Sequence, residues 1–170
     1  MKRFQFICVF VLSLALVSCG GDKKKEDEKE SVKIGTKKET KKSDSNAVTV
    51  ALSGDDLMQY DKTEIRVKAG QKVTLNFRHT GKGDIKIMGH NFVLLKPDTD
   101  INAFALAAAN AGEPSDWIPD GGKDVIVHTK MIGGGQSTSI TFDAPAAGTY
   151  DFVCSFTGHV ARMKGKFIVE

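Results

Sequence analysis

Apolar and polar residues alternate one by one through five stretches of this chain. Val48, Val50 and Leu52 alternate with Thr49 and Ala51, and Ile65 and Val67 with Glu64 and Arg66. Val73, Leu75 and Phe77 follow the same rule, as do Ile140 with Phe142 and Tyr150 with Phe152 and Cys154. A period of two is the mark of half-buried strands. Further strands are predicted near 90–95, 125–128 and 165–169. Turn chemistry fills the gaps, at 53–56, 69–70, 81–83, 133–135 and 147–148. About eight short strands imply an all-β fold: an antiparallel Greek-key sandwich or barrel over 47–170. One stretch, Thr99 to Ala111, is rich in helix formers. It predicts one short inserted helix, capped by Asp98 or Thr99, ended by Gly112 and packed by Ile101, Phe104 and Leu106. The glycine clusters lack a GK[ST] continuation into a helix and are turns, not phosphate cradles.

Charge divides the 170 residues differently from their average of +3. Residues 47–170 hold thirteen Lys+Arg and fourteen Asp+Glu. A near-neutral domain excludes the nucleic-acid binders, which concentrate Lys and Arg. Residues 20–46 are charged at sixteen of 27 positions, and of their residues only Val32 and Ile34 are sizeable and apolar. Such a stretch cannot build a core and predicts a disordered linker with a span of roughly 30 Å. A helix laced with ion pairs is the competing reading.

The first eighteen residues suit a signal peptide, with Lys2 and Arg3 before an apolar run from Phe4 to Val17. Fourteen residues are short for a bilayer span, the competing reading. Leu16, Val17, Ser18 and Cys19 resemble the lipobox of bacterial lipoproteins. That resemblance implies cleavage before Cys19, lipidation of its thiol and anchoring to a membrane of the bacterial envelope. Gly20 suits outer-membrane sorting with the domain facing the periplasm, and the charged run suits surface display.

Cys8 would leave with the signal and Cys19 would be lipidated, so Cys154 is the one thiol of the domain. Alone it would be an inert apolar residue. Its neighbours suggest more: Cys154, His159 and Met163 stand in one C-x4-H-x3-M stretch, and His90 lies upstream after Gly89. Two imidazoles, a thiolate and a distant thioether form a His2Cys set with a weak axial ligand. That donor set suits copper in electron transfer.

The segments MGHNF (88–92), VHTKMIGGG (127–135), TFD (141–143) and the C-x4-H-x3-M stretch with Lys164 and Gly165 resemble the azurins, blue copper proteins of the cupredoxin family. A weaker match at 54–60 extends the likeness over roughly 47–170. The resemblance implies one type 1 copper held by His90, Cys154 and His159, with Met163 as the long axial ligand and the Gly89 carbonyl opposite. It implies that Asn91 ties the two ligand loops together, and that the N–H groups of Asn91 and Phe156 point at the Cys154 sulfur. It implies a docking patch of Met58, Met88, Phe156, Ala161 and Arg162 where the His159 ring edge reaches the surface. For Met58 and Met88, plain core packing is the alternative. Partners of this kind of carrier are c-type cytochromes and copper or haem reductases.

The chain departs from the azurin pattern at several points. Gly70 stands where a disulfide cysteine would be, Phe92 where a buried Trp would be, Thr157 in place of a proline and Arg162 in place of an apolar residue. His79 matches a family histidine beside the site, although by itself it reads as an ordinary packed or exposed His. His128 matches a surface position. The expected function is therefore single-electron shuttling in the bacterial envelope and not enzymatic catalysis. A copper-buffering lipoprotein without a redox partner and a zinc site on the same ligands remain as alternatives.

Overall fold

The computed structural model describes residues 46–170. The expected signal peptide, lipidated Cys19 and charged linker lie outside the described residues.

Two sheets carry the fold. One has three strands in the order β1(Ala47–Gly54), β3(Lys72–His79), β6(Ser137–Asp143). The other has five, in the order β2(Glu64–Val67), β8(Lys164–Val169), β7(Gly148–Val153), β4(Val93–Leu95), β5(Val125–His128). The two sheets do not close into one barrel, so the sandwich form of the expected fold is the one observed. The pairing is not wholly antiparallel as expected, because β1 runs parallel to β3 and β2 parallel to β8. The reason is that consecutive strands β1 and β2 enter different sheets. Each then takes a partner from elsewhere in the chain, and alternation within a strand carries no signal about that partner.

Alternation does fix the faces. Val73, Leu75 and Phe77 of β3 are fully buried while Lys72, Asn76 and Arg78, which alternate with them, are exposed and Thr74 is half-buried. The fully buried three meet Leu94, Phe152 and Phe167 of the other sheet, and Phe92 just before β4, in one core. β4 breaks the alternation, since Val93, Leu94 and Leu95 are all buried. Its outer face is covered by a helix, so it has no solvent side.

That helix is α2(Ile101–Ala111), preceded by the single turn α1(Ile85–Met88). The N-cap of α2 is Asp100, one residue beyond the expected Asp98 or Thr99. Its carboxylate accepts from the N–H groups of Asn102 and Ala103 at 2.8 and 3.1 Å. Thr99 instead donates to the Lys96 carbonyl. Gly112 ends the helix at φ 60°, as its lack of a Cβ permits. Phe104 and Ala108 are buried against Val93, Leu95, Val125 and Val153, with half-buried Ile101 beside them. Positions 101, 104 and 108 form one helical stripe. Leu106, expected in that stripe, lies about half a turn away and is 67 % exposed. Phe104→Ala is therefore expected to cost about 3–5 kcal/mol in urea unfolding, and Leu106→Ala less than about 0.5 kcal/mol.

Candidate metal centre

The backbone ladder of sheet two stops where the candidate ligands begin. The β4–β7 pairing aligns Val93 with Val153. Continued outward, that register sets Asn91 opposite Ser155. There a side chain takes over from the backbone: the Asn91 amide donates to Ser155 Oγ at 2.8 Å and accepts the Ser155 N–H at 2.9 Å. Tyr60 OH donates to the Asn91 carbonyl, fastening the first loop to the same residue. His90 keeps one isolated bridge, to Ile132. The strand expected over 90–95 is thus confined to 93–95, and His90 is freed from its ladder.

The second ligand loop folds on itself. The Cys154 N–H donates to the Met163 carbonyl at 2.9 Å, and the Met163 N–H to the His159 carbonyl at 2.8 Å. Gly158 adopts φ 82°, and a 3-10 turn follows over His159–Ala161. The spacing C-x4-H-x3-M thereby turns Cys154, His159 and Met163 toward one point. All three are buried, with His159 at 3 % exposure and the other two at 0 %.

Ligand atoms of His90, Cys154 and His159 lie within 4.8 Å of one another. Cys154 Sγ is 3.7 Å from His159 Nδ1 and 3.9 Å from the Gly89 carbonyl oxygen. A Cβ on Gly54 would come 2.9 Å from Met163 Cε and 3.1 Å from the His90 ring. Gly54 therefore leaves the room in which the thioether end meets the imidazole. A Cβ on Gly89 would strike the Ile85 carbonyl, Phe156 and Met131, so that position too requires glycine.

The imidazole of His90 carries the test of fit. Its Nε2 lies 2.7 Å from the Asp55 carbonyl oxygen and its Nδ1 2.8 Å from the Gly89 carbonyl oxygen. A neutral ring can donate to only one of them. Burial, ahead of the hydrogen bonds, lowers the pKa of His90 and disfavours the doubly protonated form. With Nε2–H donating to Asp55, a lone pair on Nδ1 faces the Gly89 oxygen and the Cys154 sulfur lies nearby. A cation among these atoms removes the conflict, and a carbonyl on the far ring nitrogen is the usual support of a metal-bound His. His159 is likewise held neutral, its pKa lowered to about 4 by burial and by His90 and His79. Burial pushes the Cys154 thiol up to about 11, against the opposing N–H groups of Asn91 and Phe156. A soft thiolate, two neutral imidazoles and a thioether suit copper.

His79 is buried and stacks on His90 at 4.1 Å between ring centroids, 14° from parallel. The Gly81 N–H donates to its Nδ1 at 3.1 Å, so Nε2–H donates to the Met88 carbonyl at 2.8 Å. His79 is thus a packed residue, beside the site. His128 is exposed and apart from the cluster. Of the expected docking residues, Met58 and Met88 are half-buried and Ala161 and Arg162 exposed. Phe156 is not a surface residue: it is 8 % exposed because Trp117 and His159 pack on its ring. Leu57 and Ile87, at 65 and 73 % exposure, are the large apolar side chains that stand out beside Met58 and Met88. In the sequence Gly54, Asp55, Leu57 and Tyr60 stand out only as part of the 54–60 likeness, with no role at the site, and Ile87 and Ser155 do not stand out at all. Asp55 contributes only its carbonyl to His90, so its residue type carried no signal.

The match to known proteins covers the described domain. Residues 46–170 match the model of the copper binding proteins, plastocyanin/azurin family. The azurin of Bordetella pertussis (strain Tohama I) is 45 % identical over 121 residues, 69 % of this chain and 80 % of that protein. Auracyanin-A of Chloroflexus aurantiacus is 34 % identical over 130 residues, 75 % of this chain and 78 % of that one. The solved structure of auracyanin A, a "blue" copper protein from Chloroflexus aurantiacus, superposes with a TM-score of 0.67 at 32 % identity, covering 73 % of this chain and 99 % of its own. An azurin (Az-iso2) from Methylomonas sp. strain J gives 0.64 at 34 % identity, covering 72 % and 97 %.

Because a metal must displace the proton of a thiol whose pKa is near 11, copper(II) uptake by the metal-free protein at pH 7 should release about one proton per site. Calorimetry in buffers of different ionisation enthalpy measures that number. Release near zero would mean that the sulfur is not a ligand.

Proposed function

Since the chain belongs to the plastocyanin/azurin family of copper-binding proteins, we propose that it carries single electrons between redox proteins through one copper ion held by His90, Cys154, His159 and Met163. Copper supplies the one-electron exchange between its +1 and +2 states. The observation that carries the reading is the burial of all four donor side chains, with the ligand atoms of His90, Cys154 and His159 within 4.8 Å of one another. Copper held by these buried donors, with Met163 and the Gly89 carbonyl beside it, would be closed to a substrate, which suits a carrier and not a catalyst.

The protein's own groups set the working conditions. With a metal on Nδ1, the Asp55 carbonyl would accept the Nε2–H of His90, and the N–H groups of Asn91 and Phe156 direct partial positive charge at the Cys154 sulfur. These groups are held in place before any metal arrives, so little has to move when charge changes. Met58, Met88, Ala161 and Arg162, with the exposed Leu57 and Ile87, would supply the docking surface for a transient partner such as a c-type cytochrome or a copper or haem reductase. The N-terminal segment supports a place in the bacterial envelope. Lipid on Cys19 would hold the domain to the outer membrane, facing the periplasm, on a charged linker.

The copper-loaded wild type is expected to show an intense blue thiolate-to-copper absorption and the matching EPR spectrum, and Cys154→Ser should abolish both. A colourless wild type with copper bound refutes the reading. Stopped-flow mixing with a small c-type cytochrome separates a carrier, which exchanges electrons rapidly, from a copper buffer, which does not. Metal analysis of protein from its native compartment separates copper from zinc. Cys19→Ala should move the protein from the membrane fraction to the soluble fraction; retention on the membrane would rule out the lipid anchor.

A further inference from the structure

The segment between α2 and β5 reaches the 154–163 loop and Met131 beside Gly89, and one residue in it has no part in the copper reading so far. Trp117 is the sole tryptophan of the chain. Its ring packs on Phe156 at 4.9 Å between centroids, and its Nε1–H donates to Thr157 Oγ1 at 3.3 Å. Phe156 in turn packs on the ring of His159 at 4.7 Å. The indole therefore touches two adjacent residues of the 154–163 loop, and one of these touches a candidate ligand.

The backbone at Trp117 is also unusual. Asp116 and Trp117 are successive non-glycine residues in the left-handed region, both at φ 55°. Such conformations are costly and persist where their surroundings enforce them. Local turn bonds hold them, from the Asp116 N–H to the Glu113 carbonyl and from the Trp117 N–H to the Gly112 carbonyl, at 2.9 Å each, while their side chains reach Met131 and the 154–163 loop. The Asp116 carboxylate accepts the Met131 N–H, at 3.2 Å to each oxygen, and Met131 Cγ lies 3.0 Å from where a Gly89 Cβ would be. Phe156 Cδ2 lies 2.9 Å from the same point. One strained dipeptide thus serves the Gly89 side through Asp116 and the Cys154–Met163 side through Trp117.

We propose that Trp117 is a positioning residue of the copper centre: its indole holds Phe156 and Thr157, and through Phe156 it fixes the seat of His159 and the N–H aimed at the Cys154 sulfur. This rests on the copper reading of His90, Cys154 and His159. A Trp that merely filled space would affect stability alone. A positioning Trp also affects metal retention and the order of the loop before metal binds.

Trp117→Leu keeps an apolar side chain but loses the ring and the donor, while Trp117→Phe keeps a ring on Phe156. Three measurements on the full chain apply. The first is copper retention against a competing chelator, the second the absorption and EPR spectra, and the third amide hydrogen exchange over residues 154–163 in the metal-free protein. Trp117→Leu is expected to weaken copper retention about tenfold, the scale seen for outer supports of metal ligands, to shift the spectra and to speed exchange in the loop. Trp117→Phe should recover most of each effect. Wild-type copper retention, spectra and loop exchange in Trp117→Leu, even with a lowered unfolding midpoint, would overturn the proposal. A wild type that takes up no copper would instead refute the copper reading, and the exchange comparison on metal-free protein would still decide the role of Trp117.

Discussion

The reciprocal hydrogen bonds between Asn91 and Ser155 are the junction on which the site depends. They lie where the β4–β7 ladder runs out. Backbone pairing beyond this point would draw His90 and Cys154 into the sheet with their side chains set by the pleat. A side-chain amide closes the gap instead and lets both strands turn into loops while their separation stays fixed. Both residues are buried, at 0 and 3 % exposure. Loss of one partner would strand polar atoms at about 1–3 kcal/mol each. The same residue receives Tyr60 OH and directs its own N–H at the Cys154 sulfur. One residue therefore joins three loops, through its side-chain amide, its backbone carbonyl and its backbone N–H, and touches the site's chemistry.

Burial is the second constraint. It raises the pKa of Cys154 and lowers those of His90 and His159, so the metal-free donors are a thiol and two neutral rings. It also strengthens every fixed dipole nearby, because little water is present to screen it. The Asp55 and Gly89 carbonyls face one imidazole from two sides, a pairing a neutral ring cannot satisfy alone. Preorganisation for a cation and frustration without one are the same structural fact. Around it the glycines at 54 and 89 leave room for Met163, Phe156 and Met131 to approach.

Strand faces were legible in the sequence because side chains alternate across a sheet whatever the sheet's partners are. The full burial of Val73, Leu75 and Phe77 follows from that alone. The face of α2 was legible in part. Its stripe passes through Ile101, Phe104 and Ala108, and Leu106 misled because hydrophobicity was weighed without its angle on the helix. The parallel pairings of β1 and β2 were not legible, since they depend on which sheet the chain enters after each turn.

The site divides in the same way. The sequence by itself placed Cys154, His159 and Met163 in one short stretch, and the likeness of its C-x4-H-x3-M spacing to the azurins singled them out as donors. It also singled out His90, Gly89 and Asn91, through the likeness of their segment to a known pattern. Only the tertiary structure decided that Asp55 would hold His90 by a carbonyl, that Gly54 would leave space for Met163, and that Trp117 would lie on Phe156. Each of these is a contact between segments far apart in the chain, made through backbone atoms, an absent side chain or a ring of ordinary type. Such contacts leave no mark in the local sequence, and the packing of two sheets and their loops is what creates them.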